Sequence, residues 1–294
     1  MTTKTQLQND KHISVVFGVK RANPNGDPLA DNYPRQDLRG YGIVSDVALK
    51  RKIRNQLQIL GEPVLYGVSK FDPDSKDYSI VSKLKTVPNL FESVNDVKET
   101  KAEKAKKKAV VEDGLPELSK YEKERFVADS FTDVRFFGAV IATNSDGGTT
   151  SVGVTAPVSI QEAISLDPID IESVQITKSI NGVDKENGGK ASDTMGMYHV
   201  VPYAIYKFNI HVSKFLANKY GFTEEDFEKL VAILPRLFDN DASSARPAGS
   251  MEVLSVVVTN DASNHSKREL DNALEVTYSQ EVHDFDTVTF KTTI

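Results

Sequence analysis

The pattern of apolar and polar positions predicts a strand followed by a helix near the start of the chain. Residues 12–22, HISVVFGVKRA, are rich in β-branched and aromatic side chains, which is typical of a strand. Residues 45–60, SDVALKRKIRNQLQIL, carry apolar side chains at helical spacing, with Ser45 placed to cap the first turn. The apolar stripe of this helix consists of Leu49, Ile53, Leu57 and Leu60.

Later apolar runs predict the rest of the core. A nearly continuous run at 133–143, DVRFFGAVIAT, is typical of a central strand, and the alternating tail after 274 predicts edge strands. The other predicted elements are a short strand at 62–68, strands at 172–180, 197–212 and 251–260, and a helix at 223–238 that begins with a Thr223/Asp226 box. This order predicts a single α+β domain that spans residues 1–294, with a mainly antiparallel sheet of the ferredoxin-like or RRM-like kind.

Two segments depart from this regular pattern. Residues 62–130 have a loose pattern and predict an insertion between core elements; their lysine-rich stretch at 98–108 suits either a solvated surface or a nucleic-acid contact. Residues 172–200 predict a projecting β-hairpin, because two strand-like arms flank the polar, turn-forming segment 181–196.

Composition narrows the possible functions. The chain has no cysteine and five scattered histidines without an HxxxH or HxH pair, so we predict no disulfide, no metal site and no cofactor, and expect a reducing cytoplasm. No apolar run approaches the roughly 20 residues that span a bilayer, and residues 1–10 lack the apolar region of a secretory signal, so no membrane partner is expected.

Positive charge is concentrated in one region, although the net charge of the chain is −6. Residues 35–58 carry six basic side chains against two acidic ones, whereas residues 222–241 carry six acidic side chains against two basic ones. One basic groove on an otherwise acidic protein fits this distribution. The six basic residues are Arg35, Arg39, Lys50, Arg51, Lys52 and Arg54.

The loop that joins the first strand to the basic helix is the strongest candidate for chemistry. Residues 22–35, ANPNGDPLADNYPR, could form a long turn, a metal site using Asp27, Asp31 and Asp37, or a backbone cradle for phosphate. Turn propensity favours the first alternative for the carboxylates. Phosphate binding is favoured by Arg35 and by the adjoining helix N-terminus with its basic face.

Several segments together resemble the Cas-seven family of the RAMP superfamily, the backbone subunits of type I CRISPR surveillance complexes (Cascade). The segments NPNGDP, YPRQD and IVSDVALKRKIRN resemble the N-terminal signature of that family. The segments DVRFFGAVIAT, SLDPI, TMGMYHVVPYAIY, GFTEEDFEKL and LFDNDASSAR extend the likeness in the same order. The FDNDASSAR segment most resembles the type I-C branch.

The resemblance implies a modified RRM "palm" with a helical insertion and a β-hairpin "thumb". It implies that copies of the chain stack as a filament along a CRISPR RNA that pairs with target DNA. The other expected partners are the large subunit and the subunit that caps the guide end. The resemblance also implies that target cutting is left to a recruited nuclease, so that this chain is not an enzyme.

Carried over by position, the resemblance assigns RNA-binding roles to eight residues. Four basic residues of the N-terminal region and one from SSAR would contact guide phosphates, two asparagines would shape the adjoining loop, and one methionine would lie near the wedge of the thumb. These residues are, in that order, Arg35, Lys50, Arg51, Arg54, Arg246, Asn23, Asn25 and Met195. Cations common in the family are missing from TAPVS at 155–159, from Met197 and Tyr198, and from Ala242.

Two alternatives remain open at this point. The first is a metal-dependent ribonuclease, because type III relatives in the superfamily use a loop aspartate to cut RNA, and Asp27 or Asp31 would be the residue here. The second is a structural protein that binds no nucleic acid. Met195 and Met197 are likewise open, since methionine fills core gaps as well as wedging between bases.

Overall fold

The computed structural model describes residues 5–68, 79–85, 119–145, 148–177, 195–259 and 265–293. The chain divides into two compact units. The helix-rich unit consists of residues 1–8, 54–159 and 212–228, and the sheet unit consists of residues 9–53, 160–211 and 229–294. The interpretation of 62–130 as an insertion into a single domain stays a prediction.

The described residues form α-helices and β-strands in a mixed order. The helices are α1 Asp46–Ile59, α2 Ile80–Lys85, α3 Lys120–Ser130, α4 Thr132–Phe137, α5 Lys214–Tyr220, α6 Glu224–Ile233 and α7 Lys267–Asn272. The strands are β1 Lys11–Ala22, β2 Gly26–Asp27, β3 Tyr33–Pro34, β4 Tyr41–Val44, β5 Ala139–Ser145, β6 Gly148–Val154, β7 Val158–Ile160, β8 Ala163–Pro168, β9 Glu172–Thr177, β10 Met195–Val212, β11 Met251–Thr259, β12 Leu274–Thr277 and β13 Thr289–Thr292.

The main sheet confirms the predicted α+β class. Its strands lie in the order β11-β1-β10-β8-β4, and the β1–β11, β8–β10 and β4–β8 pairs are antiparallel. In chain order, α1 falls between β1 and β8, and α6 falls between β10 and β11. The four core strands in chain order are β1, β8, β10 and β11. The first and third of them, β1 and β10, lie at the centre of the sheet, which is the arrangement of a ferredoxin-like fold.

The tail packs on the main sheet instead of extending it. Strands β12 and β13 pair with each other in a separate two-stranded sheet. Leu274 and Val288 join a buried cluster with Val16 and Ile205 of the central strands. Burial of such a side chain stabilises the fold by about 1.5–3 kcal/mol. The prediction that the tail adds edge strands is wrong, because its apolar side chains cover one face of the sheet.

Helix α1 forms where the apolar stripe predicts it. The Ser45 hydroxyl accepts a hydrogen bond from the Ala48 amide at 3.3 Å, so Ser45 caps the helix as expected. The stripe residues Leu49, Ile53 and Leu57 are fully buried, whereas Leu60 lies past the last turn and is 56% exposed. The helix therefore ends at Ile59, one residue before the predicted boundary, and Leu60 of the predicted apolar stripe lies outside it.

The prediction of a central strand at 133–143 is wrong. Thr132–Phe137 is the helix α4, and its chain direction changes at Gly138, whose φ of 69° lies in the left-handed region. A Cβ atom at Gly138 would lie 2.4 Å from the Val154 carbonyl oxygen, so only glycine fits there. Strand β5 begins at Ala139 and pairs only with β6 within the described residues. A short apolar run does not distinguish a buried helix from a buried strand.

The predicted strand at 62–68 is also wrong, because a buried carboxylate holds this segment in a turn. Asp133 accepts hydrogen bonds from the backbone amides of Leu65 at 2.8 Å and Tyr66 at 3.2 Å. These amides are therefore satisfied by a side chain, and no neighbouring strand is needed to pair with them.

The two arms of the predicted hairpin are paired. Strands β9 and β10 run antiparallel, from Met195 opposite Thr177 to Val200 opposite Glu172. The predicted tip and the lysine-rich stretch at 98–108 lie outside the described residues, and the role of 172–200 as a thumb stays a prediction. Among the described helices, none is both long and apolar enough to cross a bilayer.

Candidate nucleic-acid interface

The loop at 22–35 is a compact turn built around a short two-stranded bridge. Gly26 and Asp27 of β2 pair with Pro34 and Tyr33 of β3. The Asp27 carbonyl oxygen accepts the amides of Ala30 at 3.0 Å and Asn32 at 2.8 Å. Asp31 and Asn32 adopt left-handed backbone conformations, with φ of 51° and 57°. Asp and Asn tolerate this conformation better than most residues, which explains the composition of the loop.

Asn23 and Asn25 hold the loop in place. Asn23 is buried and donates from Nδ2 to the Asn32 carbonyl oxygen at 2.6 Å. Asn25 accepts the Ser45 amide on Oδ1 at 2.9 Å, which ties the loop to the residue that caps α1. Both side chains therefore shape the loop beside the basic helix, and direct contact with RNA stays a prediction for them.

We expect Asn25→Ala to loosen this connection. The substitution leaves the Ser45 amide without its acceptor and should destabilise the sheet unit by about 1–2 kcal/mol. Urea unfolding of the RNA-free chain measures the loss. Asn240→Ala, which removes an exposed asparagine of the same unit, is the control. Equal stability of Asn25→Ala and the unsubstituted chain would contradict the prediction.

Two of the three candidate carboxylates stabilise turns. Asp27 Oδ1 accepts the Leu29 amide at 3.1 Å and lies 3.3 Å from Arg35 Nη2. Asp37 accepts the amides of Arg39 and Tyr41. Desolvation raises the pKa of Asp37, but these hydrogen bonds outweigh it and the pKa is lowered. The third carboxylate, Asp31, is 82% exposed. The structure therefore gives Asp27 and Asp37 architectural contacts.

A groove of about 480 Å³ lies beside this loop within the sheet unit. Its walls are the loop residues Asn23–Gly26 and Asn32, the α1 residues Ala48, Arg51 and Lys52, the β10 residues Met197–His199, and Asp241, Ala245 and Arg246. The motif segments NPNGDP, KRK, MYH and DASSAR, which are far apart in the sequence, thus meet in one groove.

The charge of the groove is set by three cations and one carboxylate. Lys52 is buried and ion-paired with Asp241, and Arg246 Nε lies 2.9 Å from the same carboxylate. Burial lowers the pKa of Lys52, while Asp241 acts in the opposite direction. Arg51 is exposed and has no ion-pair partner among the described residues. The groove therefore carries a net positive charge, and Arg51 is the cation whose charge is not compensated.

The other predicted basic contacts are more constrained. Lys50 is ion-paired with Asp46 at 2.9 Å, one helical turn away, and is partly buried. Arg35 is paired with Asp27, and Arg246 Nη1 donates to the Asn23 carbonyl oxygen at 3.3 Å. These cations can still face a phosphate, but each already has a partner in the structure.

Arg54 is built into the helix-rich unit. Its Nε lies 3.0 Å from Oδ2 of the fully buried Asp133, and its side chain is only 13% exposed. Its guanidinium also lies over the rings of Tyr66 and Phe137, at 5.3 and 5.2 Å. The sequence places Arg54 on the polar face of α1, but the structure uses it to neutralise a buried charge. We therefore leave Arg54 out of the proposed RNA contacts.

Strand β10 contributes aromatic and apolar side chains to the groove. Met197 is 55% exposed, and Tyr198 lies beside it. His199 is buried, stacks on Tyr33 with 3.6 Å between ring centroids, and contacts Ser173 Oγ through Nδ1 at 2.9 Å. Met195 lies at the start of β10, and its side chain is outside the described residues. Its contact with RNA stays a prediction.

Sequence reasoning gave no specific role to four residues of this region. Lys52, counted only among the basic residues of 35–58, is ion-paired with the partly buried Asp241 in the wall of the groove. Tyr33 stacks on His199, which also lines the groove. The DASSAR segment contained Asp241, but its partner Lys52 lies 189 residues away, beyond the reach of any local pattern.

Comparisons with known proteins agree with this assembly of motifs. The family model for CRISPR-associated protein Cas7 matches residues 9–293. The chain is 27% identical over 284 residues to the CRISPR-associated protein Cas7 of Haloferax volcanii, covering 91% of this chain and 75% of that protein.

Solved structures give weaker likenesses. A chain of a CRISPR RNA-guided surveillance complex, pre-nicking, is 16% identical with a TM-score of 0.48, covering 85% of this chain and 78% of that one. A chain of a type III-B Cmr-beta complex bound to cognate target RNA is 11% identical with a TM-score of 0.42, covering 85% and 61%. TM-scores this low carry no argument about function. Because the family model matches nearly the whole sequence, the chain belongs to the Cas7 family of CRISPR-associated proteins.

Proposed function

We propose that this chain is a non-catalytic backbone subunit that binds a CRISPR RNA through the groove of the sheet unit. The observation that carries the proposal is Arg51, an exposed cation without a partner among the described residues, at a groove formed by the family's own motif segments. An exposed guanidinium beside a positively charged groove attracts a phosphate backbone without reading its bases.

The remaining walls of the groove fit a single-stranded RNA. Arg246 presents a guanidinium held in a fixed position by Asp241 and the Asn23 carbonyl oxygen, so little side-chain entropy is lost when it meets a phosphate. Met197 and Tyr198 offer apolar and aromatic surface on which a base can stack. Lys50 and Arg35 add positive charge nearby, although each is partly neutralised.

The proposed assembly contains several copies of the chain along one guide, together with a large subunit, a guide-end-capping subunit and target DNA paired to the guide. The FDNDASSAR segment supports a type I-C-like complex. The antiparallel arms β9 and β10 support a hairpin thumb that reaches a neighbouring copy.

Sequencing of RNA that co-purifies with the tag-free chain tests the proposal. We expect an absorbance ratio typical of a ribonucleoprotein, with RNAs that share a CRISPR repeat-derived end. RNA-free protein from cells that contain a matching CRISPR array would refute the proposal and support the purely structural alternative.

The ribonuclease alternative predicts a different result with the same material. Asp27 is engaged by the Leu29 amide and Arg35, whereas Asp31 is 82% exposed and, among the described residues, has only His199 Nε2 nearby, at 3.9 Å from its Oδ2. Asp31 is therefore the less engaged of the two candidate metal ligands. We expect no cleavage of complementary RNA in the presence of Mg²⁺, by the unsubstituted complex or by Asp27→Ala and Asp31→Ala. Cleavage that either substitution abolishes would overturn the non-catalytic assignment.

A further inference from the structure

Three potential metal ligands meet in the sheet unit, away from the groove residues. His12 on β1, His211 on β10 and Asp271 on α7 bring two imidazole nitrogens and one carboxylate oxygen within 4.8 Å of one another. His12 Nε2 lies 3.1 Å and His211 Nε2 lies 2.9 Å from the same Asp271 Oδ1. Within the described residues, this is the one such group of three.

We propose that His12, His211 and Asp271 form a binding site for a first-row transition metal ion of the Zn²⁺ type. Two imidazoles and one carboxylate, with the fourth position left to water, are a common ligand set for Zn²⁺. Ligand atoms of a tetrahedral Zn²⁺ site with bonds of about 2.0–2.1 Å lie roughly 3.3 Å apart. The separations from Asp271 Oδ1, 2.9 and 3.1 Å, are close to that value, and the two imidazole nitrogens lie within 4.8 Å of each other. The ion therefore requires the two imidazoles to shift towards it.

A second layer of hydrogen bonds orients the carboxylate, as metal sites require. Gln161 Nε2 donates to Asp271 Oδ2 at 2.9 Å, which leaves Oδ1 to the two histidines. Asn209 Nδ2 donates to Gln161 Oε1 at 3.2 Å, and Asn209 Oδ1 accepts the Ser14 hydroxyl at 2.8 Å. The carboxylate is thus fixed through a chain of side chains that reaches back to β1.

One cation lies next to this group. Lys207 Nζ donates to the backbone carbonyl oxygens of Asp271 and Leu274, both at 2.8 Å. The backbone therefore holds this ammonium, and the Asp271 carboxylate is left to the two histidines and Gln161.

The three ligands lie on segments that are far apart in the sequence. An ion that joins β1, β10 and α7 would add direct bonds between three separate segments of the sheet unit. The site is therefore expected to stabilise the fold, and it is independent of the proposed RNA groove.

Zinc titration of the tag-free, chelator-treated chain tests the inference. We expect one equivalent of bound Zn²⁺ in excess Mg²⁺, together with a higher thermal midpoint. The absence of cysteine removes thiolates as competing ligands. His211→Ala and Asp271→Asn should weaken binding at least about tenfold. His283→Ala, which removes an exposed histidine elsewhere, should leave the affinity unchanged.

X-ray absorption of the Zn²⁺-loaded, unsubstituted chain gives a readout that does not depend on any variant. We expect two imidazole ligands and oxygen in the remaining positions. The inference is overturned if no equivalent of Zn²⁺ binds, if fewer than two imidazoles coordinate the ion, or if His211→Ala and His283→Ala bind equally well.

Discussion

Replacing Arg51 by Glu is expected to weaken RNA binding roughly fivefold to tenfold in each copy of the chain. Arg51 is exposed on α1, lines the groove and has no ion-pair partner among the described residues, so its whole charge is available to a phosphate. Glutamate removes that attraction and adds repulsion. In a filament on one guide the losses from successive copies multiply, and we expect little RNA to remain bound after purification.

The salt dependence of binding shows whether the loss is electrostatic. For a labelled single-stranded RNA and the RNA-free chain, fluorescence anisotropy over a salt series gives the slope of log K against log salt. Arg51→Ala should reduce the magnitude of that slope by about 0.7, the value for one phosphate contact on a single strand. An affinity loss with an unchanged slope would point to misfolding instead.

Arg268→Glu is the matched control for Arg51→Glu. Arg268 is also exposed on a helix of the sheet unit, and the substitution changes the net charge by the same amount, but Arg268 does not line the groove. We expect a change in affinity of less than about twofold from the altered net charge alone. If the two substitutions weaken binding equally, the groove is not the RNA site and only the overall charge matters.

Local patterns were sufficient to predict the elements that carry a complete local signal. Helix α1 has a capping serine, an apolar stripe and a polar face within sixteen residues, and it forms at 46–59 within the predicted 45–60. The arms of the hairpin were likewise predicted from strand-like segments on both sides of a polar segment, and β9 and β10 pair. In both cases the interactions that define the element are close together in sequence.

Predictions failed where a distant partner decides the structure. The apolar run 133–143 is compatible with a helix or a strand, and its first part forms helix α4. The Asp133 carboxylate holds the segment at 65–66 in a turn by accepting its amides. The sequence likewise gave no sign that His12 and His211 lie close together. They lie on separate strands, β1 and β10, and meet only at the carboxylate of Asp271.

The residues of the candidate site likewise differ in how far along the chain their partners lie. The resemblance implied a loop-shaping role for Asn23 and Asn25, and in the structure their side chains bond to the Asn32 carbonyl oxygen and the Ser45 amide. The partners of Lys52 and Arg54 could not be foreseen, because Asp241 and Asp133 lie 189 and 79 residues further along the chain. Within the part of the chain that the structure describes, the basic residues of α1 thus comprise an unpaired cation (Arg51), a cation paired within the helix (Lys50), and two cations paired with distant carboxylates, of which one is partly buried and one is fully buried.

Arg54→Ala is therefore expected to cost stability and not RNA affinity. The substitution leaves the fully buried Asp133 carboxylate with the amides of Leu65 and Tyr66 but without its counter-charge. Loss of one partner of a buried ion pair costs roughly 3–5 kcal/mol. Urea unfolding of the RNA-free chain should show this loss, whereas Arg51→Ala, at an exposed position, should change stability by less than about 0.5 kcal/mol.

A double substitution separates the buried charge from the lost packing of the arginine. In the Arg54→Ala background, Asp133→Asn removes the uncompensated charge while its remaining oxygen still accepts an amide. We expect it to recover about 1 kcal/mol or more, so that the two substitutions together cost less than their sum. In the salt series, folded Arg54→Ala should keep the slope of the unsubstituted chain. A guanidinium neutralised by a buried carboxylate should not attract a phosphate. A reduced slope together with the stability of the unsubstituted chain would therefore show that Arg54 contacts the RNA.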